Sequence, residues 1–179
     1  MTRAQPIDVA LRTWSASDHA LLKRLMGDPQ MTDHLGGPET PEKIRERHER
    51  YTAIGNSGTG EMFVIAVGPG GDGAGSVGYW EKDWQGETVW ETGWSVLPEF
   101  QGHGIATRAT ALVVARAMAA GKHRSIHAFP SVDNGPSNAV CRKVGFKLLG
   151  EFEFEYPKGN QLRCNDWFLD LPDAVDLPR

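Results

Sequence analysis

The segment that constrains this chain most is Gln101-Gly-His-Gly-Ile-Ala106. It joins a strand-like run over residues 89–97 to a helix-forming apolar stretch over residues 105–120, which Gly121 closes. A strand, a glycine turn and a helix in that order make the local unit of a layered α/β protein. Such a turn also aims several backbone N–H groups at one point, and the helix dipole adds an attraction for anions. It therefore reads as a phosphate cradle, or as a plain strand-to-helix turn. Two other phosphate motifs fit badly. The dinucleotide fingerprint wants Gly or Ala where Thr107 stands, and an acid about 20 residues on, yet residues 106–132 contain no acid. The P-loop sequence GK[ST] is absent.

The rest of the chain supplies matching elements. Residues 9–14 read as a first strand. Ser15 with Asp18 three residues on starts a helix carrying Leu21, Leu22, Leu25 and Met26, and Gly27 ends it. Thr40-Pro41 starts a second helix, from Glu42 to about Ala53, whose charged face belongs in water. Residues 62–67 form a strand by β-branched content. The glycines of residues 68–75 predict a flexible hairpin loop, followed by a strand over 76–80 and a turn around Trp84-Gln-Gly86. Residues 125–129 read as a strand and 136–144 as a short helix closed by Gly145. Residues 150–156 alternate Phe152, Phe154 and Tyr156 with glutamates, the period of a strand with one buried face. Pro157-Lys-Gly-Asn160 turns the chain into a last strand over 163–171. The expectation is a mixed α/β chain, one domain over residues 7–172, with about seven strands and about four helices.

Charge and composition narrow the partners. With 19 basic and 23 acidic residues the net charge is −4, which argues against nucleic acid. Residues 1–10 hold Arg3, Asp8 and no apolar core, so no signal peptide is expected. Arg108 and Arg116 interrupt residues 105–120, which are too short and too charged to span a membrane. Cys141, Cys164 and the six histidines show no ligand spacing, so neither a metal nor a disulfide scaffold is expected, and a reduced cytoplasm is the default.

The flanks of the glycine turn sharpen it. The stretch from Glu91-Thr-Gly-Trp-Ser-Val-Leu-Pro through Gln101-Gly-His-Gly-Ile-Ala-Thr107 resembles the acetyl-CoA-binding segment of the GNAT family of N-acetyltransferases. That family's pattern Q/R-x-x-G-x-G/A is met by Gln101, Gly104 and Ala106. A second family segment follows as Asn134-Gly-Pro-Ser137-Asn138, then Lys143-Val-Gly145-Phe146. The acid-x-Gly-aromatic strand, Glu91-Thr-Gly-Trp94, resembles the RimJ/RimL-type members. The resemblance is close over residues 89–150. It implies a mostly antiparallel sheet splayed between its fourth and fifth strands, with acetyl-CoA as co-substrate lying in the gap. Val96 and Leu97 would hydrogen-bond the pantetheine arm. The N–H groups of Gly102, His103, Gly104, Ile105, Ala106 and Thr107 would hold the pyrophosphate, with Gln101 opening the turn. Asn134, Ser137 and Asn138 would meet the far side of the cofactor. His103 is a variable position, beside the phosphates or free in solvent.

Acetyl transfer to an amine needs a neutral amine, a polarised carbonyl and a proton for the leaving thiolate. Binding both reactants in line supplies the largest part, and a strand N–H near Val96 can polarise the carbonyl. Glu91 is the first candidate base. Alternation puts it with Val89, Gly93 and Ser95 on one face, opposite Trp90, Thr92, Trp94 and Val96. An ordinary solvent-facing glutamate is the other reading of that position. His127 is the second candidate, with a packed core histidine as its alternative. Where many family members carry a tyrosine acid, this chain has Cys141, a weaker donor that also suits plain packing; Ser137 is the alternative acid. The acceptor would be a primary amine, a protein N-terminus by the RimJ/RimL resemblance or a small amine. Glu91, Glu151, Glu153 and Glu155 would suit a cationic one. A homodimer is plausible, and a non-catalytic acyl-CoA-binding module is the rival function.

Overall fold

The computed structural model describes residues 7–155 and 158–172. One seven-stranded sheet organises them, built from β1 (Val9–Thr13), β2 (Gly60–Val67), β3 (Asp72–Trp84), β4 (Glu87–Val96), β5 (Ser125–Ala128), β6 (Lys147–Glu155) and β7 (Gln161–Asp170). Their spatial order is β1-β2-β3-β4-β5-β7-β6. All neighbours are antiparallel except β4 and β5, which run parallel. Five α-helices flank the sheet: α1 (His19–Met26), the single turn α2 (Pro29–Thr32), α3 (Pro41–Ser57), α4 (Ile105–Ala120) and α5 (Gly135–Val144). The extra helix over the expected four is α2, capped by the Asp28 side chain accepting from Gln30 N–H at 2.8 Å.

Local sequence explains most boundaries. Asp18 accepts from Ser15 N–H and Ser15 Oγ, both at 2.8 Å, and anchors the turn that leads into α1. Thr40 caps α3 with Pro41 in its first turn, and Gly58 ends it in the left-handed region at φ 70°. This helix runs four residues past the expected Ala53.

The expected loop over residues 68–75 is shorter than its glycine content suggests. β3 begins at Asp72, and Gly73 and Gly75 pair with Ala66 and Ile65 across a bulge. A Cβ at Gly75 would strike the Ser95 carbonyl on β4. Gly75 thus serves close strand approach rather than loop freedom. β6 is described as far as Glu155; Tyr156 and Pro157 lie outside the described residues.

The sheet buries both faces. Phe63, Ile65, Val77, Tyr79, Trp90 and Val96 pack with α4 residues Ile105, Ala109, Val113 and Ala117 on one side. Trp14, Leu22, Leu25, Ile44, Met62 and Val64 form a smaller core under α1 and α3 on the other. Trp90 and Trp94 therefore belong to the α4 face, as alternation predicts. Glu91 faces the α1/α3 side, where Trp80 packs.

Candidate active site

The gap that the sheet opens is the centre of the site. β4 and β5 pair only through Trp90 with Ile126 and Glu91 with His127. Beyond that point the strands separate. Leu97 N–H donates to the Ala74 carbonyl at 2.8 Å, so its backbone points toward β3. By alternation the N–H and C=O of Val96 point into the gap. The Val96 carbonyl already accepts from Gln101 Nε2 at 2.8 Å, leaving its N–H for another partner. Leu97 is spent: its carbonyl takes the Phe100 N–H at 2.9 Å, and its side chain is buried.

The glycine turn closes one end of the gap. Gly102 and Gly104 hold φ of 79° and 72°, the left-handed region, and Gly104 is the N-cap of α4. The backbone bond closing the helix's first turn runs from Arg108 N–H to the Gly104 carbonyl at 3.2 Å. The N–H groups of Ile105, Ala106 and Thr107 precede it and have no intrahelical acceptor. Arg108 also bonds the His103 carbonyl at 3.2 Å, which pins the turn. Open space surrounds the Cα of Gly102, and from Gly104 the nearest atom to a Cβ would be an Arg108 nitrogen at 3.8 Å. The left-handed φ at both positions strains any residue with a side chain, so glycine suits the turn.

The far wall comes from α5. Asn134 caps the helix, accepting from Ser137 N–H at 3.1 Å. Ser137 lines the cavity, as do Asn134 and Lys143. Asn138 is buried and committed internally. Its Nδ2 donates to the carbonyls of Ser131 and Asn134 at 2.9 and 2.7 Å, and its Oδ1 accepts from Asn165 and Trp167, both at 2.8 Å. It ties β7 to α5 and thereby places Ser137. Cys141 lies in the apolar core with no exposed surface, and burial pushes its thiol up to about 12.

A cavity of about 1180 Å³ runs from this turn through the gap to the α1/α3 face. Glu91 lines it. Its carboxylate accepts from Trp80 Nε1 at 3.0 Å and sits 3.6 Å from Lys82 Nζ. Burial raises its pKa above the ordinary carboxylate range; Lys82, the Trp80 bond and His127 pull the other way without cancelling it. Phe129, Phe152 and Phe154 form an aromatic wall beside it. His127 is buried, its Nδ1 2.6 Å from Asp166 Oδ1, whose other oxygen accepts from Trp84 Nε1 at 3.0 Å. It packs against Phe129 and Phe168. Trp84 thus buttresses the site from behind, its ring packed at a tilt against Phe129 and Phe152.

Trp80, Lys82 and Asp166 escaped the sequence reading. The signal for the first two was present: a two-residue turn at Gln85-Gly86, with φ of 51° and 86°, fixes the β3/β4 register and sets Trp80 opposite Glu91.

A family model described as an acetyltransferase (GNAT) domain matches residues 8–147. The chain belongs to the GNAT acetyltransferase family. No curated protein matches. Among solved structures it is similar to a spermidine N-acetyltransferase from Vibrio cholerae, in complex with CoA and spermine (16% identity, 94% of this chain and 98% of that one, TM-score 0.75). It is also similar to a Salmonella typhimurium acetyltransferase that modifies the N-terminal serine of a 50S ribosomal subunit protein (20%, 94% and 97%, 0.74). A third is a ribosomal-protein alanine acetyltransferase from Vibrio fischeri (19%, 96% and 97%, 0.75). These likenesses establish a common GNAT fold. Among the described residues, no His, Cys, Asp and Glu cluster suits a metal, and no helix is long and apolar enough to cross a membrane.

Proposed function

We propose that this GNAT protein moves an acetyl group from acetyl-CoA to a primary amine by direct transfer within a ternary complex, in the manner of RimJ/RimL-type enzymes. One observation carries the reading: a partly buried carboxylate, Glu91, and the glycine turn at the start of α4 face the same continuous cavity through the β4/β5 gap. Acetyl-CoA supplies an activated thioester. The N–H groups from Gly102 to Thr107 bind its pyrophosphate, and the Val96 N–H pairs with the pantetheine arm. Asn134 and Ser137 border its far side.

Glu91 takes the ammonium proton of the acceptor, directly or through water. Its raised pKa brings it closer to working pH and makes it a better proton acceptor than an exposed glutamate. Trp80 and Lys82 hold the carboxylate in place. Ser137 is the acid candidate that borders the cavity, while burial removes Cys141 from it; a CoA thiolate also leaves and takes its proton from water. His127, held by Asp166, supports the wall rather than touching the acceptor.

Incubation with acetyl-CoA and a panel of amines, following free thiol release, tests the reading. Release that depends on both reactants supports it. The loss of the family's tyrosine favours one rival, an acyl-CoA-binding module without turnover. Tight CoA binding in calorimetry with no thiol release on any amine would establish that rival instead.

A further inference from the structure

Lys82 lies on β3 two residues beyond Trp80, and its side chain crosses β4 on the Glu91 face. Its Nζ is 3.6 Å from Glu91 Oε2, 4.9 Å from the centre of the Phe154 ring and 5.5 Å from that of Phe129. A carboxylate with two aromatic faces is how proteins hold an ammonium group. The side chain is only 20% exposed, so this cation occupies the cavity rather than the surface. The chain has placed its own primary amine where an acceptor amine must come to meet Glu91.

We infer that Lys82 is a self-acetylation site: without an external amine, the protein transfers the acetyl group of acetyl-CoA to Lys82 Nζ. This rests on the reading of Glu91 as base in a GNAT acetyl transfer. Glu91 takes one proton from the Lys82 ammonium, and the neutral amine attacks the thioester carbonyl. The new C–N bond forms and the C–S bond breaks. The amine's second proton accompanies the departing thiolate as free CoA, and the proton on Glu91 returns to solvent. The four-carbon stem of lysine gives Nζ the reach to swing along the cavity toward the gap. The amide product carries no charge. Glu91 then loses the cation that most strongly opposes its burial, and the acid limb of any later turnover moves to higher pH.

The test is a time course of the full chain with acetyl-CoA alone, with peptide mapping by mass spectrometry. Lys122, whose side chain is 47% exposed, reports plain chemical acetylation. Lys82 should gain one acetyl group at least about 100-fold faster than Lys122, the low end of what a positioned base contributes, and Glu91→Gln should remove that advantage. Equal rates at the two lysines, or an unchanged Lys82 rate in Glu91→Gln, would overturn the inference. Thiol release with external amines is measured on the same sample. Turnover with Lys82 unmodified defeats self-acetylation alone; neither turnover nor CoA binding defeats the acetyltransferase reading beneath it.

Discussion

Replacing Glu91 by Gln tests the centre of the mechanism with little structural disturbance. Glutamine keeps the shape, and its carbonyl oxygen can still accept from Trp80 Nε1, a bond of 3.0 Å in the wild type. What it loses is the capacity to take a proton. A positioned base contributes about 10²–10⁴-fold, or roughly 3–5 kcal/mol of barrier. The variant should therefore lose about 100-fold or more in kcat/KM near neutral pH with an alkylamine acceptor, measured by thiol release. The loss should shrink as pH rises, because bulk solvent then supplies neutral amine. In the wild type only the carboxylate works, so rate falls as pH drops through a Glu91 pKa raised by burial. Stability has its own sign. A carboxyl whose folded pKa exceeds its unfolded one is destabilising above both values and neutral below them. Removing that charge should leave the thermal midpoint at neutral pH no lower than the wild type's, and equal to it in acid. A Glu91→Gln protein that keeps full rate at every pH, or loses the same factor at every pH, would refute the base assignment.

Three further outcomes concern the glycine turn and α5. Gly104→Ala forces a Cβ into the left-handed region at φ 72°, at a strain of about 1 kcal/mol, and into the phosphate turn. CoA affinity by calorimetry should fall at least about tenfold, more than that strain alone explains. Cys141→Ala should cost about 1 kcal/mol in urea unfolding by emptying core volume, with thiol release within about twofold of wild type. Ser137→Ala, in contrast, should slow release without loss of stability.

The sequence carried the fold where local rules act alone. Gly27, Gly121 and Gly145 end α1, α4 and α5, and Thr40-Pro41 opens α3, because caps depend on a few adjacent residues. The place of the glycine turn before α4 and the strand face that carries Glu91 were legible because a short motif and the period of a strand define them. Residues 68–75 misled because glycine content signals freedom locally, while the need at Gly75 is room for Ser95 on another strand. Asn138 shows the same limit. Its motif position suggests cofactor contact, yet four hydrogen bonds to residues up to 29 positions away commit it to the frame. Roles fixed by distant partners leave no mark in a local pattern.

The acceptor side shows why this matters for substrate choice. Four glutamates suggested a cationic acceptor, but the pleat of β6 separates them. Phe152 and Phe154 line the cavity, while Glu151, Glu153 and Glu155 are exposed on the opposite side of the strand, with Glu151 paired to Arg163. Of the cavity's acids, Glu81 is already bound by Lys122 and His123, and Glu91 faces Lys82. Arg47 is matched by Glu39, which leaves Arg50 adding positive charge at the acceptor end. A polyamine bringing several charges would meet at most one carboxylate and an unfavourable field, each uncompensated like charge near 4 Å costing of order 1–4 kcal/mol. An amine with an apolar or aromatic neighbour finds Phe129, Phe152 and Phe154 instead. Spermidine should therefore be a poorer acceptor by kcat/KM than a peptide with an apolar residue beside its free N-terminus. The gap should narrow in high salt, which screens the repulsion and leaves the aromatic contact intact. A spermidine rate that equals or exceeds the peptide's at low salt would show that the exposed glutamates, not the aromatic wall, select the acceptor.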